Sequence, residues 1–335
     1  MRQQRPHPII CTLVLFILIA AAGCGRSAGH AAPENSAVSE RAYVWTKVID
    51  HAPFPEAYNF PLFNIRNTMW AFSGEGNWYS PDGKTWTKAE LPPLGLRTGY
   101  QQYVQFGEAI YALGTMQGNY LDLKLGSRIA KTSSDLKKWE TIAEQSELPP
   151  RVFYGAVVFA GKIWMLGGFD GQTYYHDVWN SSDGIKWRRV TNKTPWSPRS
   201  NPLVFVFQNK LWLLGGGIID GQVFNDVWST TDGVEWQRAT DKLSERPIFG
   251  GSAVVFDGKI WIVGLNRNDG FQNAVMVSRN GVDWIEEKAP WTPRGGVATC
   301  VLDDKLFMTG GKYSVTENGT IKFIYSNDVW YLSSK

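Results

Sequence analysis

Residues Asp177–Trp187 read D-V-W-N-S-S-D-G-I-K-W, and the phrase returns as D-V-W-S-T-T-D-G-V-E-W at Asp226–Trp236. Its first half returns as D-V-W-Y at Asp328–Tyr331. Weaker copies stand at Asn77–Trp86 (N-W-Y-S-P-D-G-K-T-W) and Asn273–Trp284 (N-A-V-M-V-S-R-N-G-V-D-W). Each copy sets two short runs of β-branched and aromatic residues around Asp-Gly or Asn-Gly, a strong short-range signal for a β-hairpin. The closing tryptophans, at positions 86, 139, 187, 236 and 284, are 53, 48, 49 and 48 residues apart. A hairpin returning at that period decides the architecture before any single residue is weighed.

Working outward, each copy is preceded by an apolar strand that ends in glycine. These are M-W-A-F-S-G (69–74), I-Y-A-L-G (110–114), I-W-M-L-G-G (163–168), L-W-L-L-G-G (211–216) and I-W-I-V-G (260–264). A sixth, L-F-M-T-G-G (306–311), is followed by Asp328-Val329-Trp330, and Lys335 is reached before a last tryptophan strand. The segment A-Y-V-W-T-K-V at Ala42–Val48 has the look of that closing strand, with nothing before it to close. Placed after Lys335 it completes six four-stranded units. The expectation is an all-β, six-bladed propeller over 42–335, closed by the N-terminal strand joining the C-terminal blade. Closure removes the exposed sheet edges of an open array.

By its Gly-Gly after the second strand, its aspartate opening the third and its tryptophan in the fourth, the chain resembles the kelch-repeat, galactose-oxidase-like propellers. The motifs are strongest in blades 3 and 4. The S-x-D-G-x-x-W turn is also similar to the Asp-box of sialidases, which has one more residue between Asp and Gly, so kelch ranks first. The repeated Asp82, Asp183 and Asp232, with their glycines, suit tight turns. Asp177, Asp226 and Asp328 are expected to accept hydrogen bonds from nearby backbone, and the periodic tryptophans to pack between blades.

The N-terminus reads as an export signal. Residues 1–23 have a basic start (Arg2, Arg5), the apolar run Ile9–Ala22 and small residues, a secretory pattern too short to span a bilayer. Ala20-Ala21-Ala22-Gly23-Cys24 resembles a bacterial lipobox. That likeness implies a lipid on Cys24 and, with Gly25 after it, anchoring at the outer membrane where a cell has two. Residues 24–41 then form a flexible tether. Removal of Arg2 and Arg5 leaves 32 of the 34 basic residues against 31 acidic ones, so no nucleic-acid surface is indicated. Of three cysteines only Cys300 remains for the folded part, as a small core residue.

The kelch resemblance raises copper oxidase chemistry, which needs two histidine ligands and a cysteine-linked tyrosine. The few histidines (His30, His51 and His176 after the signal) and the lone core cysteine reject it, and no cofactor or metal is expected. No G-x-S-x-G elbow or Gly-rich phosphate loop is present. A second periodicity is more informative. Arg97, Arg151, Arg199, Arg246 and Arg294 fall in the loops leading into first strands, at spacings of 54, 48, 47 and 48, with Glu56 near the matching place in blade 1. First strands line a propeller's channel, so five guanidiniums near one mouth either brace the blades, paired with backbone or acids, or form a candidate ligand site for carboxylates. Longer loops at Thr115–Arg128 and Lys312–Tyr325, with Tyr120, Phe169, Tyr174, Tyr175, Phe224 and Phe271 in or beside such loops, could supply specificity. The leading expectation is a non-catalytic, lipid-anchored propeller at the bacterial envelope, binding a partner protein or an acidic glycan or peptide. The alternative is a sugar isomerase resembling periplasmic N-acetylneuraminate epimerase (mutarotase), with Glu56 as its candidate catalytic acid or base.

Overall fold

The computed structural model describes residues 42–94, 102–119, 122–219, 221–318 and 320–335. The signal, the tether, Cys24, Arg97 and Tyr120 lie outside them. Arg41–Lys335 forms one compact unit. Its described residues are strands, turns and loops, with no helix long and apolar enough to cross a membrane.

Six antiparallel sheets follow one another in chain order. Blade 1 is Leu62–Asn64, Met69–Ser73, Gly76–Ser80 and Thr87–Lys88. Blade 2 is Gln102–Phe106, Ala109–Asn119, Asp122–Thr132 and Trp139–Ala143. Blade 3 is Gly155–Phe159, Lys162–Leu166, Val178–Ser181 and Arg188–Thr191, and blade 4 is Leu203–Phe207, Lys210–Leu214, Val227–Thr230 and Gln237–Thr240. Blade 5 is Gly250–Phe256, Lys259–Arg267, Ala274–Ser278 and Ile285–Lys288. Blade 6 takes Gly295–Leu302, Lys305–Glu317 and Val329–Ser334 from the C-terminus and Tyr43–Ile49 from the N-terminus. The closing strand pairs Tyr43 with Ser334 and Trp45 with Leu332, and the Lys335 N–H donates to Ala42 O at 2.8 Å. The six-bladed propeller closes as its repeats require.

The second strands are apolar at almost every position because both of their faces are buried. In I-W-M-L, Ile163 and Met165 enter the core shared with blade 2, while Trp164 and Leu166 enter the core shared with blade 4. In L-W-L-L, Leu211 and Leu213 face blade 3, and Trp212 and Leu214 face blade 5. The period of two thus feeds alternate side chains into successive seams. Each of the six seams carries its own apolar cluster.

The Asp-Gly phrase makes a hairpin, but not a two-residue one. Between Val178–Ser181 and Arg188–Thr191 lies a six-residue connection. Within it Asp183 Oδ1 accepts the N–H groups of Ile185 and Lys186, at 2.8 and 2.9 Å. Ser181 Oγ accepts the Gly184 N–H, and the Trp187 indole donates back to Gly184 O at 2.9 Å. Blades 1 and 4 repeat this arrangement, and blade 5 repeats it with Asn280 in place of the aspartate. The glycine is required twice over. Gly233 has φ +78, and a Cβ there would stand 2.2 Å from the Trp164 ring of the preceding blade. Gly281 meets Trp212 in the same way. Each such turn is therefore seated on its neighbour's second-strand aromatic.

The antiparallel order puts these turns on one rim of the ring, together with Ala42 and Lys335. The loops leading into first strands and those joining second to third strands share the opposite rim. The first strands of neighbouring blades lie side by side around the axis.

Candidate functional site

The site lies on that second rim, at the mouth of the channel, and begins with the periodic arginines. Arg151, Arg199 and Arg294 are sealed: their side chains are 4%, 0% and 5% exposed. Each guanidinium forks onto the aspartate that opens its own blade's third strand. Arg151 meets Asp177 at 2.5 and 2.9 Å, Arg199 meets Asp226 at 2.6 and 2.9 Å, and Arg294 holds Asp328. Nη1 of each also donates to the carbonyl of the first glycine of the Gly-Gly pair: Gly167, Gly215 or Gly310. The tryptophan of D-V-W completes the set, with the indoles of Trp179, Trp228 and Trp330 donating to the same aspartates. Rings close over two of the cations, Tyr175 at 3.5 Å from Arg151 and Phe224 at 4.2 Å from Arg199.

D-V-W, Gly-Gly and the periodic arginine are thus one unit. The aspartates accept from a side-chain fork and an indole, not chiefly from nearby backbone. Burial by itself would raise the Asp226 carboxyl, but the hydrogen bonds and charge of Arg199, with the Trp228 N–H, outweigh it and hold it below the usual carboxylate range.

Arg246 is the exception. Blade 5 opens its third strand with Asn273-Ala274-Val275, and with no aspartate to receive it Arg246 turns outward, 49% exposed. It pairs with Asp269 at 2.5 Å and with Gln272 at 3.1 Å. Glu56, in the loop leading into blade 1, is exposed.

Inside this rim the first strands of blades 2 to 5 and the residues leading into them border an open cavity of about 210 Å³. Gln102 and Asn201 bring amide side chains to it beside Tyr154, and small or apolar residues, Ala156 and Leu203 among them, make up the rest of its described lining. Asn201 sits two residues beyond the sealed Arg199, at φ +52, as Phe153 at φ +57 follows Arg151. Left-handed backbone is costly for a bulky side chain. Here it turns the chain from the arginine anchor into the inner strand, and the Asn201 N–H donates to Phe153 O at 2.6 Å. The side-chain amides of Gln102 and Asn201 hold no hydrogen bond to another described residue. The Tyr154 hydroxyl is engaged, donating to Leu113 O at 2.9 Å, and burial raises its pKa. No described residue lining the cavity is a carboxylate, an imidazole or a thiol.

The loop aromatics are mostly structural. Phe169 and Tyr174 stack at 4.5 Å, Phe224 and Tyr175 cover arginines, and the Tyr175 hydroxyl donates to Asp170. Cys300 is buried in the seam between blades 6 and 1, and burial pushes its thiol up to about 12. Among the described residues no cluster of histidine, cysteine or carboxylate side chains could hold a metal.

Sequence reasoning reached the rim but not the cavity. Gln102 belongs to no motif. Asn201 could have been found only by its fixed offset from a periodic arginine.

Comparison with known proteins bears on the fold. The sequence pattern described as "DUF6242 beta propeller domain" matches residues 31–251. A search of curated proteins finds no match. The solved structure of YjhT superposes with a TM-score of 0.65 at 14% identity, over 84% of this chain and 100% of that one, a likeness of fold.

Proposed function

The chain belongs to the DUF6242 β-propeller family, and from that premise we propose that it is a non-catalytic binding module. Its channel mouth receives the polar end of a glycan, and its loop rim extends the contact. One observation carries this reading: the described lining of the cavity offers two unengaged amide side chains among apolar and backbone groups, with no carboxylate, imidazole or thiol suited to proton transfer at neutral pH. Amides both donate and accept, which suits hydroxyl and acetamido groups. A volume of about 210 Å³ is below the range of about 300–1,000 Å³ usual for drug-sized ligands, so the cavity suits one sugar ring. An acidic group on the ligand would compete with Asp269 for Arg246, the described lead-in arginine that stays exposed. Arg151, Arg199 and Arg294 contribute by holding the mouth rigid.

The test is a glycan-array screen of the full-length protein followed by calorimetry on the best ligand. Asn201→Ala and Gln102→Ala should each weaken binding by about tenfold, the loss of one or two unreplaced hydrogen bonds. Arg246→Ala should matter only for acidic sugars. Binding unaffected by all three, or anomer interconversion by NMR that stops in Glu56→Gln, would return the reading to the isomerase. We also propose export and lipid anchoring at Cys24; Cys24→Ser should then move the protein from the membrane to the soluble fraction.

A further inference from the structure

The second strand of blade 6 runs past the rim, and before the third strand begins an added strand, Thr320–Tyr325, pairs with its outer part, Lys312–Glu317, as a two-stranded hairpin. Cross-strand partners share a face, so Lys312, Ser314 and Thr316 stand with Tyr325, Phe323 and Ile321. The other face carries the Glu317–Lys322 ion pair. The first face is an apolar strip in water: Ile321 is 66% and Phe323 46% exposed. At its base Lys312 Nζ lies between two rings, 4.1 Å from the centre of Tyr58 and 4.5 Å from that of Phe323. Tyr325 stands against Tyr58 at 5.5 Å.

Among the described residues no carboxylate pairs with this lysine. The described guanidiniums Arg151, Arg199, Arg246, Arg267 and Arg294 each hold an acid, and Lys312 is half-buried beside rings alone. Burial lowers its pKa, the mark of an ammonium held from water without a counter-ion. An anion beside it would complete the arrangement, with an apolar body lying along Phe323 and Ile321.

Geometry chooses among anions. Tyr325, Phe323 and Ile321 alternate at the two-residue repeat of an extended chain, about 6.6 Å. Strand Thr320–Tyr325 pairs only with Lys312–Glu317, so its outer edge keeps unpaired N–H and C=O groups. A peptide added along that edge, parallel to it, ends at Tyr325 beside Lys312. We propose that the blade 6 hairpin docks the hydrophobic C-terminus of a polypeptide, with Lys312 receiving the terminal carboxylate and Phe323 and Ile321 the last side chains. This site is separate from the channel mouth, and Asn201→Ala leaves it intact.

The test is fluorescence anisotropy of the full-length chain with labelled tetrapeptides ending in Leu, Ile, Val or Phe, each as free acid and as C-terminal amide. At least one free acid should bind, and its amide should bind at least about tenfold more weakly, the scale of one charge-assisted hydrogen bond. Lys312→Gln should erase the difference between acid and amide, Lys312→Arg should keep most of it, and Phe323→Ser should weaken both forms. The proposal is overturned if no free acid binds, or if Lys312→Gln leaves the preference unchanged. It also falls if glucuronate displaces the peptide with equal affinity, or if Phe323→Ser abolishes self-association or binding to phosphatidylglycerol vesicles in place of peptide binding.

Discussion

Arg199 and Arg246 hold equivalent places in successive blades, and their fates diverge because of one residue further along each blade. Arg199 finds Asp226, 27 positions on; Arg246 finds Asn273 at the matching strand start and leaves for solvent. Removing one partner of a buried pair strands the other without a counter-charge, at about 3–5 kcal/mol, whereas an exposed pair contributes about 0–1 kcal/mol. Urea unfolding of Arg199→Ala should therefore show a large loss of stability, and that of Arg246→Ala almost none. The same pair sets an acid limit. Asp226 is depressed in the fold, so its contribution is complete above the unfolded aspartate value of about 3.9 and is lost as pH falls through the folded value. Stability followed by circular dichroism should hold from neutrality down to about pH 4 and decline below it, less steeply in Asp226→Asn. Here the sequence is half legible. The spacing of the arginines puts them on one rim, but periodicity is silent about partners, and only the covariation of arginine with D-V-W separates the sealed ones from the exposed one.

At the scale of the element, the Asp-Gly turn is a seat for the neighbouring blade as well as a reversal of the chain. Gly233→Ala should cost about 1–2 kcal/mol for left-handed backbone and a further ~1–3 kcal/mol for the overlap with Trp164. Gly258, at φ +67 with open space around it, should show only the first loss when changed to alanine, and thermal melts of the two variants separate strain from crowding. Asp183→Asn should be nearly silent, since Asn280 already caps the same turn in blade 5. The composition of the turn is readable from the chain. Its six-residue length and its aromatic cushion are not, because they depend on a ring about 69 residues earlier, in another sheet. The blade 6 hairpin is the opposite case. Its extra length shows in the unequal spacing of the motifs, yet which of its faces is apolar appears only once Ile321 is registered against Thr316.

For the whole molecule, six repeats of one phrase determine a ring, and the ring determines which loops share a rim. The cavity escapes sequence reading because its lining comes from four blades, one to four residues each, with no motif among them. The meeting of Ala42 with Lys335 at the rim of Asp-Gly turns has a bearing on orientation. Ala42 therefore stands on the rim opposite the mouth and the blade 6 hairpin, as the stem of a dish stands opposite its bowl, and a load held at Ala42 is kept a full strand's length from both. Streptavidin bound to a biotin placed just ahead of Ala42 should leave glycan and peptide binding unchanged. The same load on Gln172, exposed in a rim loop of blade 3, should obstruct the mouth.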